Sequence, residues 1–184
     1  NLKKELDNKI FDIVKNASEK LGYESFVVGG WVRDLLLNNK NKKDIDFVCI
    51  GSGIKLAKEV QNLIPNSKIS TYSNFGTALV SYEDMNYEFI GARKESYRKN
   101  SRNPIIENGS LEDDQKRRDF TINCLYVKLV GESYGELLDP FNGLIDLENK
   151  ILRTPLNADK TFSDDPLRMI RAIRFSTQLN FEIC

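Results

Sequence analysis

The stretch from Val27 to Val48, VVGGWVRDLLLNNKNKKDIDFV, restricts this chain more than any other. An apolar run, SFVV, stops at two glycines, and Gly29 and Gly30 lead straight into WVRDLLL. Glycine adopts backbone angles closed to other residues and lets neighbouring groups come close. The pattern predicts a buried strand, a tight turn and a short helix. After the polar NNKNKK, the sequence DIDFVCI reads as a second strand. Side chains alternate across a strand, so Ile45 and Phe47 turn to the core. Asp44 and Asp46 then share the opposite face, about 6.6 Å apart along the strand.

Two carboxylates held so close repel, and their pKa values rise unless something neutralises them. Mg²⁺ does this with oxygen ligands and water. The triplet by itself also fits a solvated strand face. The glycines add to the first reading: they open onto a helix N-terminus, whose free amides favour phosphate. Arg33 follows as a charged donor to phosphate oxygens. A tight turn alone would explain the glycine pair equally well. Taken together, the residues point to a triphosphate gripped on one side and metal ions on the other.

Composition narrows the chemistry. The 184 residues contain no histidine, which excludes a Ser-His-Asp triad, a His-ligated zinc and an imidazole base. With 40% hydrophobic and 29% charged residues and a mean hydropathy of −0.44, the chain reads as soluble and globular. It has room for one domain, or one domain and the start of another. No apolar run is long enough to span a bilayer, and a cytoplasmic location is expected. The lack of an initiator Met and the stop at Cys184 fit a piece of a longer protein. Cys49, Cys124 and Cys184 share no metal-ligand spacing and read as buried free thiols. Net charge is zero, but RKESYRKNSR and the arginines from Arg168 to Arg174 form local basic patches.

Along the chain, Leu6, Ile10, Ile13, Val14, Ala17 and Leu21 recur at helical spacing up to Gly22. Ile54, Ala57, Val60, Leu63 and Ile64 mark a helix closed by Pro65. KISTY, TALVSY and YEFIGA read as strands. The charged stretch from Arg93 to Gly109 has little periodicity and reads as a mobile loop. Ser110 is an N-cap with Glu112, Asp113 and Asp114 in the first turn. NCLYVKLV reads as a strand, and LLDPFNGLIDLENKILRT as a turn, a short helix and a strand. A last helix begins near Pro166, with Leu167, Ile170, Ile173 and Leu179 inward. Helices and strands alternate before hairpins follow, so the expected fold is α+β (mixed α/β), with a central mixed sheet flanked by helices.

Four spaced blocks then carry a resemblance. GGWVRDLLL…DIDFV resembles the opening motif of class II nucleotidyltransferases, the bacterial and eukaryotic CCA-adding enzymes and bacterial poly(A) polymerases. RRDFTINCL (Arg117 to Leu125) resembles the second block, LLDPFNGLIDL (Leu137 to Leu147) the third, and DDPLRMIRAIRF (Asp164 to Phe175) the nucleotide-selecting block. Four blocks in order are more specific than any single motif. The resemblance implies a polymerase β-like nucleotidyltransferase head over residues 1–152, and the start of a helical neck over 153–184.

It also implies roles. Asp44 and Asp46 would bind two Mg²⁺ ions, with Glu88 a possible third acid or a plain surface acid. Gly29, Gly30 and Arg33 would hold the phosphates, with Asp34 bracing Arg33. Arg117, Arg118, Asp119 and Asn123 would bind the nucleotide or order its pocket, with one of the two arginines alternatively a structural ion-pair partner. Asp165 and Arg168, three residues apart, would share a helix face and present a base-like edge to C or A. Arg171 and Arg174 would extend a basic stripe towards phosphate. Substrates would be CTP, ATP and the 3′ end of tRNA, with no membrane partner. YSNFGTALV is similar to the Phe-Gly-Thr strand of CCA-adding enzymes, which favours CCA addition over poly(A) addition. The stretch from Arg93 to Gly109 matches the family's flexible loop. An inactive nucleotide- or RNA-binding module is the reading from another class. Departures from the family pattern are Asn38, Cys124, Asn142 and Asp164, none in the metal site.

Overall fold

A computed structural model of the protein describes residues 1–39, 43–97 and 104–184. In chain order the elements are α1 (Lys9–Leu21), β1 (Ser25–Val28), α2 (Gly30–Leu36), β2 (Asp44–Cys49), α3 (Gly53–Leu63), β3 (Lys68–Tyr72), β4 (Thr77–Tyr82) and β5 (Met85–Gly91). Then come β6 (Arg93–Ser96), β7 (Ile105–Asn108), α4 (Leu111–Lys116), β8 (Tyr126–Lys128), β9 (Leu137–Leu138), α5 (Gly143–Glu148), β10 (Ile151–Leu152), α6 (Ala158–Asp164), α7 (Leu167–Leu179) and β11 (Glu182–Ile183). They form two compact units: Asn1–Ala92 with Tyr126–Leu138, and Arg93–Leu125 with Asp139–Cys184. This is the mixed α/β architecture expected.

The first unit is built on a seven-stranded sheet in the order β3-β4-β5-β2-β1-β8-β9. Strands β2 and β5 run parallel, and the other neighbours are antiparallel. Helices α1 and α3 pack on each other and against the sheet. Of the apolar spacing read from the sequence, Val14 and Ala17 of α1, and Ala57, Val60 and Ile64 at α3, are buried; Leu56, outside that reading, is buried as well, and Leu63 is exposed. Phe47 of β2 stacks on Phe89 of β5 at 5.1 Å and meets Phe11 of α1 edge-on at 6.1 Å. The Asn8 side chain caps the first turn of α1, and Gly22 ends it at φ 68°, a left-handed angle. Helix α3 comes so close to β5 that a Cβ on Gly53 would lie 2.7 Å from the Gly91 nitrogen and 2.8 Å from the Phe89 carbonyl oxygen.

In the second unit, β6 and β7 pair antiparallel. A full capping box starts α4, with the Ser110 and Asp113 side chains satisfying each other's backbone N–H. Helix α7 rests on β10 and β11, and Phe175 meets Phe120 edge-on at 6.0 Å.

Several expectations need correction. The stretch from Arg93 to Gly109 is not a loop throughout: β6 and β7 occupy both arms, and residues 98–103 lie outside the described residues. Alternating charges hid β6, because Arg93 and Glu95 face inward as an ion pair of 2.8 Å. The strand in NCLYVKLV is confined to Tyr126–Lys128, after a 3-10 turn at Thr121–Asn123. On α7, Leu167, Ile170 and Ile173 are 47%, 63% and 59% exposed. The packed face is instead Arg168, Ala172 and Phe175, because Phe175 docks on Phe120. Cys49 and Cys124 are buried thiols, but Cys184 is exposed. Among the described residues no helix is long and apolar enough to cross a membrane.

Gly53→Ala is expected to lower stability by about 1–3 kcal/mol, since β5 backbone cannot move aside as a side chain could. Urea unfolding checks this: the midpoint should fall with an unchanged slope.

Candidate active site

In the first unit, β1 ends at Gly29, whose φ of 71° and ψ of −133° suit glycine alone. Helix α2 starts at Gly30. Arg33, one turn on, is only 2% exposed, and Asp34 1%. The Arg33 guanidinium donates to the Asp34 carboxylate at 2.7 and 3.1 Å, and its terminal nitrogen lies 3.6 Å from where a Gly30 Cβ would stand. This corrects the expectation of Arg33 as a phosphate-reaching arm. Burial and the fork to Asp34 make it a brace behind the glycine turn.

Strand β2 alternates as its sequence predicts. Ile45 and Phe47 are buried, Asp46 is half-buried and Asp44 exposed. Asp44 accepts a hydrogen bond of 3.1 Å from the Asn86 side chain on β5. Asp46 is in register with Val28 on one side and Glu88 on the other. Neighbouring strands lie about 4.8 Å apart, so Glu88 stands beside Asp46 on the same face. Among the described residues no three Asp, Glu, Cys or His side chains converge enough to enclose a metal ion. Two carboxylates are nevertheless the donor set that suits Mg²⁺, which takes one or two protein carboxylates and completes its shell with water and substrate phosphate.

The second unit gathers the remaining predicted residues around two buried carboxylates. Asp114, wholly buried, accepts from Arg117 and, at 3.0 and 3.2 Å, from Arg118. Both arginines of the RRDFTINCL block are thus ion-pair partners, where only one was expected to be. Arg117 also reaches Glu95 at 3.4 Å. Asp119 accepts from the Phe120 N–H at 2.8 Å and the Asn123 side chain at 3.1 Å. Its other oxygen takes a fork from Arg171 at 2.7 and 2.6 Å. The guanidinium groups of Arg171 and Arg174 lie over the Phe175 ring, 5.2 and 4.8 Å from its centre. Asp119, Asn123 and Arg171 are therefore one cluster, with Arg174 beside it.

Asp165 and Arg168 do not share a helix face. Asp165 has extended angles, φ −141° and ψ 100°, at the break between α6 and α7. Its carboxylate accepts from the Leu167 N–H at 3.1 Å. A residue before proline is driven out of the helical region, and Pro166 follows. Arg168 is buried and donates to the carbonyls of Arg117 at 2.7 Å and Thr161 at 3.3 Å, and to the Tyr97 hydroxyl at 3.5 Å. It lines a cavity of about 210 Å³ together with Glu95, Tyr97, Lys116, Arg117 and Asp164.

Glu95, Tyr97 and Asp114 were missed in the sequence. The signal for Asp114 was present: acid at i with arginines at i+3 and i+4. Glu95 and Tyr97 sit two apart, in step with a strand that the charges concealed. Burial, with the bond to Glu95, raises the Tyr97 pKa, so its hydroxyl stays protonated at neutral pH. Burial likewise raises that of Cys124, whose thiol donates to the Phe120 carbonyl at 3.2 Å.

A family model described as the poly A polymerase head domain matches residues 25–153. An A-adding tRNA nucleotidyltransferase of Aquifex aeolicus (strain VF5) is 40% identical over 161 residues, 86% of this chain and 19% of that protein. A CCA-adding enzyme of Lactobacillus helveticus (strain DPC 4571) is 40% identical over 169 residues, 90% of this chain and 39% of that protein. A tRNA nucleotidyltransferase crystallised with a primer tRNA and an incoming ATP analog superposes with a TM-score of 0.77 at 37% identity, over 93% of this chain and 46% of that one. The apo form II of a CCA-adding enzyme gives a TM-score of 0.84 at 32% identity, over 98% and 43%. The chain spans less than half the length of each of these relatives. A glycine turn beside same-side carboxylates, carried on this mixed sheet and matched over most of its length, makes the chain a member of the poly A polymerase head-domain family of nucleotidyltransferases.

Proposed function

We propose that this chain is the catalytic part of an enzyme that transfers CMP and AMP from CTP and ATP to the 3′ end of tRNA, releasing pyrophosphate. The observation that carries the reading is the pair Asp44 and Asp46, same-side on β2, with the Gly29 turn directly after the Val28–Asp46 register pair. The substrate is suggested by the Aquifex relative, named as a tRNA nucleotidyltransferase, and by the similar structure that holds a primer tRNA.

In this reading Asp44 and Asp46 hold Mg²⁺, two ions by the family's chemistry, and Glu88 adds charge to the same face. When bound, Mg²⁺ lowers the pKa of the terminal hydroxyl and offsets charge on the phosphates. Gly29 and Gly30 leave backbone room for the triphosphate, and the Arg33–Asp34 fork stiffens the turn. The RNA 3′ oxygen forms a bond to the α-phosphorus, the bond from that phosphorus to the bridging oxygen breaks, and the hydroxyl proton passes to solvent. Positioning and electrostatics do most of the work in such transfers, as a chain without histidine requires. In the second unit, Arg117 and Arg118 are held by Asp114, while Asp119, Asn123, Arg171 and Arg174 order the nucleotide pocket. Arg168 selects the base. We assign residues 1–152 to the catalytic head and 153–184 to the start of a helical neck; the end of the family match at residue 153 supports this division. The reaction belongs with tRNA in the cytoplasm.

A second reading is transfer of AMP alone, which the name of the Aquifex relative favours. Labelled CTP and ATP, offered to tRNA lacking its last three nucleotides and to tRNA lacking only the final A, separate the two. CMP and AMP should both enter the first RNA. AMP on the second RNA alone supports the A-adding reading, long A tails the poly(A) reading, and no incorporation an inactive binding module.

Asp44→Ala with Asp46→Ala should cut kcat/KM by about 10²-fold or more, given several kcal/mol of transition-state stabilisation. Equal incorporation by wild type and variant would refute the assignment. Chelation with EDTA should stop incorporation by the wild type, and added Mg²⁺ should restore it, followed in the same labelled assay.

A further inference from the structure

We propose that Tyr97 is a positioning residue for Arg168, acting with Glu95 to fix the guanidinium that reads the incoming base. The inference rests on the base-selecting role of Arg168 given above and adds residues that role does not include.

Glu95 is the origin of the arrangement. Its side chain is 5% exposed, on the inner face of β6, and it accepts from Arg93 at 2.8 and 2.9 Å and from Arg117 at 3.4 Å. Its second oxygen accepts from the Tyr97 hydroxyl at 2.7 Å. A phenol that donates to a carboxylate has its lone pairs left for a donor. Arg168 supplies that donor, at 3.5 Å from a terminal nitrogen. Burial and Glu95 both raise the Tyr97 pKa, so the direction of donation does not reverse near neutrality.

Arg168 is thereby tied at three points. One terminal nitrogen is shared between the Arg117 carbonyl and Tyr97, and the other donates to the Thr161 carbonyl. A guanidinium has five N–H groups. Three are used here, and among the described residues its Nε–H and one terminal N–H have no protein acceptor. A rigid group with two donors left over can discriminate between bases by their acceptor positions. Carbonyl contacts alone leave the plane of the group free to tilt. Among the described residues Tyr97 is the side-chain contact that limits tilt, and Glu95 fixes Tyr97. The elements concerned are 71 residues apart in sequence, and both line the 210 Å³ cavity.

The test uses the full-length protein and Tyr97→Phe, which removes one oxygen and both of its hydrogen bonds. Equilibrium binding of CTP, ATP and UTP by calorimetry is read independently of turnover. The ratio of Kd values, UTP over CTP, should fall about tenfold, the size expected when a hydrogen bond to a charged group is lost. Melting temperature is followed in parallel. In an Arg168→Ala background, Tyr97→Phe should change the ratio no further. Glu95→Gln weakens the same tie without removing it and should give a smaller drop, about threefold; it serves as the reading if Tyr97→Phe fails to fold. An unchanged ratio, an equal further loss in the Arg168→Ala background, or a wild type that binds the three nucleotides alike would each overturn the proposal. Selective binding without incorporation would refute the transfer reading and still judge Tyr97.

Discussion

The placement of the acids depends on the apolar half of β2. Ile45 and Phe47 are almost completely buried, at 2% and 0% exposure, and burying side chains of this size is worth about 1.5–3 kcal/mol each. Phe47 is held between Phe89 and Phe11. A slip of one residue would push Asp44 and Asp46 into that core and Phe47 out of it, so the register is strongly specified. The parallel pairing with β5 then carries Glu88 to Asp46 and Asn86 to Asp44. Close acids are costly to hold together. Here the core holds them, and the energy that fixes the site is located behind it, on the other face of the sheet.

Asp114 plays the corresponding part in the second unit by a different force. A carboxylate with no exposure is strongly disfavoured unless charge and hydrogen bonds compensate. Two guanidinium groups on the following turn do so, each through a fork. A side effect is that the Arg117 backbone is immobilised, and its carbonyl is what Arg168 binds at 2.7 Å. Stability and placement are coupled through one residue. Asp119 repeats the device with Arg171 and Asn123.

The first half of the fold was legible because its signals are periodic. Apolar spacing defined α1 and α3, alternation placed the side chains of β2, and TALVSY and YEFIGA read as the strands β4 and β5. Punctuation helped: Gly22, the Gly29–Gly30 pair and Ser110 all act as their chemistry predicts. Two departures from the family pattern also have a physical reading. Asn38 and Asn142 have φ of 57° and 58°, the left-handed region in which asparagine is the usual substitute for glycine. What failed were places where charge stands in for apolar packing. Arg93 and Glu95 are turned inward, so β6 looked like solvated loop. On α7 the most apolar face, with Leu167, Ile170 and Ile173, is exposed, while a buried arginine and an aromatic–aromatic contact decide which side packs. Periodicity counts hydrophobicity and has no means of detecting a satisfied buried ion pair.

The error at Asp165 is the most informative, because the rule that corrects it was available. A spacing of three implies a shared face only inside one helix. Asp165 precedes Pro166, and the clash of the proline ring with the preceding residue drives that residue to extended angles. The carboxylate consequently turns to cap α7 through the Leu167 N–H, instead of pairing with Arg168. A helical ion pair would have oriented the guanidinium by itself. Without it, orientation has to come from elsewhere in the unit, and among the described residues the contacts are two carbonyls and one phenol. The carbonyls belong to the turn after α4 and to α6, so the direction in which Arg168 points is set by backbone around it, and by Tyr97, more than by its own helix.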